Sequence, residues 1–359
     1  MKIALITDTH FGARNDNVVF QDYFNKFYDN IFFPYLKEND IKTCIHLGDV
    51  VDRRKYINFK TLNYIRKNFI NRLWDMNVDT HIIIGNHDVY FKNTNDVNSM
   101  VELFSTTDSV IEPWIYDTPK EMIFDDTKIL MMPWINNTNY SECVSMMEKT
   151  DAEIMMGHFE ISGFEMHHGL WCDTGMDPKI FNKFDMVLSG HFHHKSTNGN
   201  INYLGNPYEI NWGDFNDQRG FHIFDTSTRN LEFIQNPYRM FHKIYYNDSK
   251  KTYEDFKKAD YSKYKGTFVK VIVTEKNNPY WFDVMMDSLY KEDVVDISVV
   301  ENIDMEFEND DDMVNEAEDT LTILSKYVDG LNIKINKKEL DLLLRSLYNE
   351  ALDVEIYGG

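Results

Sequence analysis

Residues 81–88 read His81-Ile82-Ile83-Ile84-Gly85-Asn86-His87-Asp88, a short apolar run that ends abruptly in a glycine, a carboxamide, an imidazole and a carboxylate. A β-branched run this short, bounded by Gly and Asp, reads as a buried strand rather than a helix. The same order recurs on both sides of it. Ile3 to Ile6 precedes Asp8-Thr9-His10, and Cys44 to Leu47 precedes Gly48-Asp49-Val50-Val51-Asp52. Further on, Ile154 to Met156 precedes Gly157-His158, and Met186 to Leu188 precedes Gly190-His191-Phe192-His193. Between the strands lie stretches with helical spacing, Phe20, Phe24, Phe27 and Ile31, then Leu62, Ile65, Phe69, Ile70 and Leu73. Strands alternating with helices predict an α/β domain, with its polar clusters beyond the carboxyl ends of the strands. The glycine that opens four of the five clusters (Gly48, Gly85, Gly157 and Gly190) lets the backbone turn tightly before a ligand.

The five clusters pool carboxylates, imidazoles and one carboxamide. That mixed set suits Mn²⁺, Fe²⁺ or Zn²⁺ and suits Ca²⁺ poorly. One cation rarely needs seven protein ligands, whereas two cations sharing a carboxylate do. Such a pair can activate water and clamp an in-line phosphoryl displacement. Taken singly, each cluster has a plainer reading. Asp8 and His10 could cap a helix, and Asn86-His87-Asp88 could be an Asx turn. Five in a row favour ligation.

Composition narrows the rest. The 359 residues predict two or three domains, and a hydrophobic fraction of 43% excludes a disordered chain. No apolar run is long enough for a membrane span, and Asp8 interrupts any secretory core, so no signal peptide is expected. Cys44, Cys143 and Cys172 are scattered, which predicts a reducing, cytoplasmic setting without disulfides. The net charge of −22 argues against nucleic acid. However, ten of the acids fall between Glu301 and Asp319, where there is no Lys or Arg, so basic patches elsewhere stay possible. Arg53, Arg54 and Lys55 directly follow the second cluster and are candidate phosphate contacts; Arg14 is a weaker one.

Beyond Arg239 the polar clusters stop. Strands are predicted at Thr267 to Thr274 and Val294 to Val300, with a helix from Pro279 to Tyr290 between them. The acidic segment follows, then two amphipathic helices. One carries Met313, Ala317, Leu321, Leu324 and Val328. The other is opened by Asn336-Lys337-Lys338-Glu339 and carries Leu340, Leu343, Leu344, Leu347 and Ala351.

The ordered motifs D-x-H, GD-x-x-D, GNHD, GH and GH-x-H resemble the calcineurin-like metallophosphoesterases. That resemblance implies an α/β (α+β) fold, a β-sandwich flanked by helices. It implies one metal on Asp8, His10 and His193, a second on Asn86, His158 and His191, and Asp49 bridging them. His87 would be the general acid, with Asp88 as its orienting partner. Asp52 either orients a ligand from behind or caps the following helix.

Tyr203-Leu204-Gly205-Asn206-Pro207, followed by Glu209, Asp214 and Gly220-Phe221, is similar to a segment of the SbcD-type recombination nucleases, with Asn206 where those carry Ser. This narrower resemblance implies a nuclease domain at 1–240, a small α+β DNA-capping domain at 241–305, and at 306–359 the acidic segment plus a C-terminal helical pair that docks on an SMC-like coiled-coil ATPase. It further implies two Mn²⁺ per subunit (Mg²⁺ as a substitute), a homodimer, 3′→5′ exonuclease activity on DNA, and endonuclease activity on single strands or hairpins. The Asn/Lys/Ile/Tyr/Phe-rich composition points to the tailed-phage branch, hence a host cytoplasm. The stripe from Leu62 to Leu73 is either core or a dimer contact. The alternatives are a phosphatase or cyclic-nucleotide phosphodiesterase on the same metal centre, and a non-catalytic DNA-end scaffold.

Overall fold

The computed structural model describes residues 1–105, 113–167 and 170–301, with isolated positions 337, 340, 343 and 344. The chain divides into two compact units, Met1–Val299 and Val300–Gly359. The acidic segment after Glu301 and the first expected C-terminal helix lie outside the described residues. Of the second helix only Lys337, Leu340, Leu343 and Leu344 are described, and all four are helical.

Two six-stranded sheets form the part of the first unit up to residue 240 that carries the polar clusters. One runs Leu231–Gln235, Gly220–Asp225, Lys2–Ile6, Thr43–His46, Asp79–Ile83, Trp114–Tyr116 in spatial order. Its last four strands are parallel, and Gly220–Asp225 joins antiparallel with Leu5 opposite His222. The other runs Ser196–Asn198, Ile201–Tyr203, Met186–Gly190, Ile154–His158, Thr127–Met132, Lys120–Phe124. Its four inner strands are parallel, and a hairpin closes each edge.

The unbroken apolar runs are explained by burial on both faces. Ile3, Leu5, Ile45, Leu47 and Ile83 meet Ile129, Met131, Ile154, Met156 and Leu188 between the sheets. The alternate residues Ala4, Ile6, Cys44 and Ile82 face helices that carry Phe20, Phe27 and Phe69. Leu130, Met155 and Val187 face a separate outer layer. The result is the expected sandwich flanked by helices.

Helical spacing is broken in one informative place. Val18–Phe27 and Phe33–Glu38 are joined by a π turn at Tyr28–Phe32. The wider turn shifts the phase, so Phe32 is buried in the core where Ile31 was expected, and Ile31 is only half-buried. Arg66–Ile70 is a second such turn. Ile65, Phe69, Ile70 and Leu73 lie inside this chain's own core, which corrects the dimer-contact reading of that stripe.

Residues beyond 240 form a three-stranded sheet ordered Phe241–Asn247, Phe268–Glu275, Asp296–Val300. The helix Pro279–Lys291 covers it, and Tyr246, Val271, Phe282 and Leu289 share its core. The strand Phe241–Asn247 was not read from the sequence. No linker precedes it: the buried Glu209 carboxylate accepts the N–H groups of Met240 at 2.6 Å and Phe241 at 2.9 Å. Among the described residues no helix is long and apolar enough to cross a membrane, and the three cysteines are free and buried.

Candidate metal centre

All five clusters meet at the carboxyl ends of strands from both sheets. Asp8 follows Lys2–Ile6, Asp49 follows Thr43–His46, and Asn86 follows Asp79–Ile83. His158 and Gly190 end their strands in the second sheet. Backbone strain sits on the ligands themselves. Asp8, His10, Asp49 and His191 take φ of 50°, 40°, 55° and 89°, a region side chains rarely adopt. Most of the glycines serve a different purpose from the tight turn expected of them. A Cβ on Gly85 would lie 2.2 Å from Asp49 Oδ1, and one on Gly190 would lie 2.0 Å from Thr7 Oγ1. Crowding between strand ends, rather than turning, requires glycine there.

The predicted ligands converge as two sets. Asp8, His10 and His193 offer ligand atoms within 4.8 Å of one another, and so do Asp49, His158 and His191. His10 Nε2 and His193 Nε2 are 3.1 Å apart. Asn86 Oδ1 lies 3.0 Å from His158 Nε2 and 2.9 Å from His191 Nδ1. Asp49 Oδ2 is 3.2 Å from His158 Nε2 and 3.8 Å from His10 Nε2, between the two sets. This donor set of two carboxylates, four imidazoles and one amide oxygen fits a pair of divalent cations.

Each imidazole has an oxygen behind it. His158 Nδ1 donates to the Leu47 carbonyl at 2.7 Å, which leaves Nε2 for the site. The far nitrogens of His10, His191 and His193 face Asp52, Glu160 and Asp214 at 3.6, 3.7 and 3.7 Å. Asp52 therefore stands behind a ligand; the cap of the next helix is Asn58, whose Oδ1 accepts from Lys60 N–H at 2.8 Å.

Glu160, Asp214 and Arg219 were missed as supports. Arg219 is fully buried and bonds Asp214 at 3.0 Å, Asp217 at 3.1 Å, the His193 carbonyl and Asn206 Oδ1. The last contact gives Asn206 its place in the segment that otherwise carries Ser.

Asp88 is a correction. Its carboxylate accepts four backbone N–H groups, from Asp49, Val50, Val51 and Gly85, at 2.8–3.2 Å. It braces the Asp49 loop and does not orient His87. The orienting group is the Asp52 carbonyl, which accepts from His87 Nδ1 at 2.6 Å. Adjacency in sequence misled because neighbouring side chains leave the backbone in different directions.

Without a cation the cluster shares protons unevenly. Burial and the neighbouring His87 hold His10 well below the ordinary histidine value. Burial also opposes charge on His158, but Asp49 outweighs it and raises this imidazole to about 9. Burial works against the Asp49 carboxylate, yet His158 and His87 keep it well below the usual range. Burial and Asp49 push Asp88 up to about 7.

The basic candidates are placed unequally. Arg53 is paired with Asp16 at 3.0 Å and bonds Asn15 Oδ1. Arg54 is half-buried, and Lys55 and Arg14 are exposed.

The calcineurin-like phosphoesterase family model matches residues 1–195, and this chain belongs to that family. Over 334 residues it is 32% identical to Exonuclease subunit 1 of Enterobacteria phage T4, covering 92% of this chain and 93% of that protein, which sets it with the SbcD-type members on the phage side. It is 23% identical to the D component of the SbcCD nuclease of Staphylococcus saprophyticus, over 64% of this chain and 67% of the relative. A dimetal phosphatase from Danio rerio, 10% identical, covers 62% of this chain and 91% of its own with a TM-score of 0.36.

Proposed function

We propose that this phosphoesterase is a DNA nuclease using two divalent cations, Mn²⁺ by preference. Asp8, His10 and His193 would hold one, Asn86, His158 and His191 the other, and Asp49 both. The observation that carries the reading is the convergence of these seven side chains from two separate sheets, with His87 fixed beside them. Two cations so held supply a nucleophile from water at neutral pH and offset charge on the phosphoryl oxygens.

The remaining work falls to the chain. With Nδ1 locked on the Asp52 carbonyl, His87 has only Nε2 to carry a proton to the leaving oxygen. Its ring packs edge-on against His10, with centroids 4.8 Å apart. Asp88 keeps the Asp49 loop from relaxing out of its left-handed conformation.

The nuclease names of the relatives support DNA as substrate, with 3′→5′ exonuclease and single-strand or hairpin endonuclease activity in a cytoplasmic setting. We further read residues 306–359 as the dock for an SMC-like ATPase and 241–305 as a DNA-capping domain, from the order of segments along the chain. Two copies would act together.

The test is a Mn²⁺-dependent assay on single-stranded DNA beside p-nitrophenyl phosphate and a cyclic nucleotide. DNA should be the preferred substrate, and His87→Ala should lower kcat by about 10²–10⁴-fold with metal content unchanged. Preference for either small ester would turn the reading to a phosphatase or cyclic-nucleotide phosphodiesterase. An undiminished His87→Ala variant would remove the acid assignment, and one bound ion per chain would remove the paired centre. Deleting residues 312–359 should abolish ATPase association and spare single-strand cleavage.

A further inference from the structure

Two loops radiate from His87, and both carry exposed aromatic rings. One continues from Asp52, whose carbonyl holds His87, and bears Tyr56, 64% exposed. The other leaves the His87-Asp88 turn and bears Tyr90 and Phe91, 37% and 44% exposed, their rings edge-on at 4.7 Å. A cation accompanies each loop: Arg53 lies 5.0 Å from the Tyr56 ring, and Lys55 6.0 Å from the Tyr90 ring.

The Tyr90 loop is held tightly despite facing water. Tyr90 N–H donates to the Val97 carbonyl at 2.9 Å, and Ser99 N–H to the Asp88 carbonyl at 2.7 Å. Buried Asn95 donates to the Trp134 carbonyl at 3.0 Å and accepts from buried Asn136 at 2.8 Å. The Trp134 ring in turn lies 5.3 Å from His191. A polar network buried and partnered in this way gives a rigid mount, and what it mounts are rings left in solvent, which contribute nothing to the core.

We propose that Tyr90 and Phe91, with Tyr56 beside them, form a fixed shelf that stacks unpaired bases of a single strand next to the scissile phosphate. The proposal rests on the nuclease reading and adds to it the side chains that would hold the unpaired bases. Aromatic faces accept any base, and Lys55 beside the Tyr90 ring brings a positive charge to the phosphates between bases, while Arg53 stays paired with Asp16. A second copy of this chain is the less complementary occupant of this patch because it would set Arg53 and Lys55 against the same two cations.

The test uses the full chain, a short oligothymidylate, and a strand of the same phosphates with tetrahydrofuran abasic residues. Tyr90→Ala/Phe91→Ala should lower kcat/KM on the oligothymidylate about tenfold and leave the abasic strand unchanged; Tyr90→Phe/Phe91→Tyr should restore the difference. Equal losses on both strands, or no loss, overturn the shelf. So does a double alanine variant that sediments as a smaller species than wild type, which would make the patch a contact between copies. If wild type cuts neither strand, the nuclease reading fails separately. Anisotropy of fluorescein-labelled oligothymidylate without metal then decides the shelf: weaker binding by the double variant supports it, and equal binding overturns it.

Discussion

The first sheet brings Asp8, His10, Asp49 and Asn86 to the centre, the second brings His158, His191 and His193, and the carboxylates and imidazoles among them are held by opposite chemistry. Carboxylates on the first side are set from behind by N–H donors. Asp49 Oδ1 receives the His87 N–H at 2.7 Å, and Asp8 receives the His191 N–H at 3.1 Å across the sandwich. Imidazoles of the second side are set by oxygen acceptors: the Leu47 carbonyl, Glu160 and Asp214. The difference teaches that oxygen ligands need a donor scaffold and nitrogen ligands an acceptor scaffold. A centre mixing both is most readily built where two sheets end together.

Removing the guanidinium that anchors the acceptor side should have the largest effect. Arg219→Leu leaves the buried Asp214 and Asp217 without their cation and should cost about 3–5 kcal/mol in urea unfolding. Wild-type stability would show that the acceptor side does not depend on it. On the donor side, Asp88→Ala frees four N–H groups at once and should weaken Mn²⁺ binding about 100-fold by calorimetry, with circular dichroism unchanged.

The first sheet also carries neutral histidines within its strands. Burial pushes His81 down to about 4, and burial with Lys195 pushes His222 down to about 3. Above the ordinary value of about 6.5 neither state is protonated and nothing changes. As pH falls from there toward 4, the unfolded chain takes up protons that the folded chain refuses, so stability is lost. Each histidine should contribute about 1.4 kcal/mol per pH unit. Urea titrations in chelator should show His222→Leu flattening that acid slope by one proton, and an unchanged slope would contradict the burial argument.

The smallest effect is expected at Glu160, a single, partly exposed contact 3.7 Å from His191. Glu160→Gln should weaken Mn²⁺ binding by about tenfold. A loss larger than that of Asp88→Ala would reverse the ranking of the two sides.

Much of this was legible before folding. Each apolar run ending in a polar, ligand-type cluster gave a strand and placed that cluster at the carboxyl end, because a parallel strand buried on both faces is largely apolar. The supports were less visible. Glu160, Asp214 and Arg219 follow no periodicity, and nothing in the chain says which acid is buried against which base. Asp88 was misassigned through its nearness to His87, and Ile31 through an ideal helical phase that a π turn displaced.

By itself, the order of residues determined the alternation of strands and helices and the seven side chains we propose as cation ligands, since both depend on local pattern and residue chemistry. Only the tertiary structure decided which oxygen stands behind each imidazole, which carbonyl aims His87, and which aromatic rings remain in water. Those relations join residues up to 111 positions apart, as between Leu47 and His158. They are set by how two sheets pack, which is a property of summed burial rather than of any one segment.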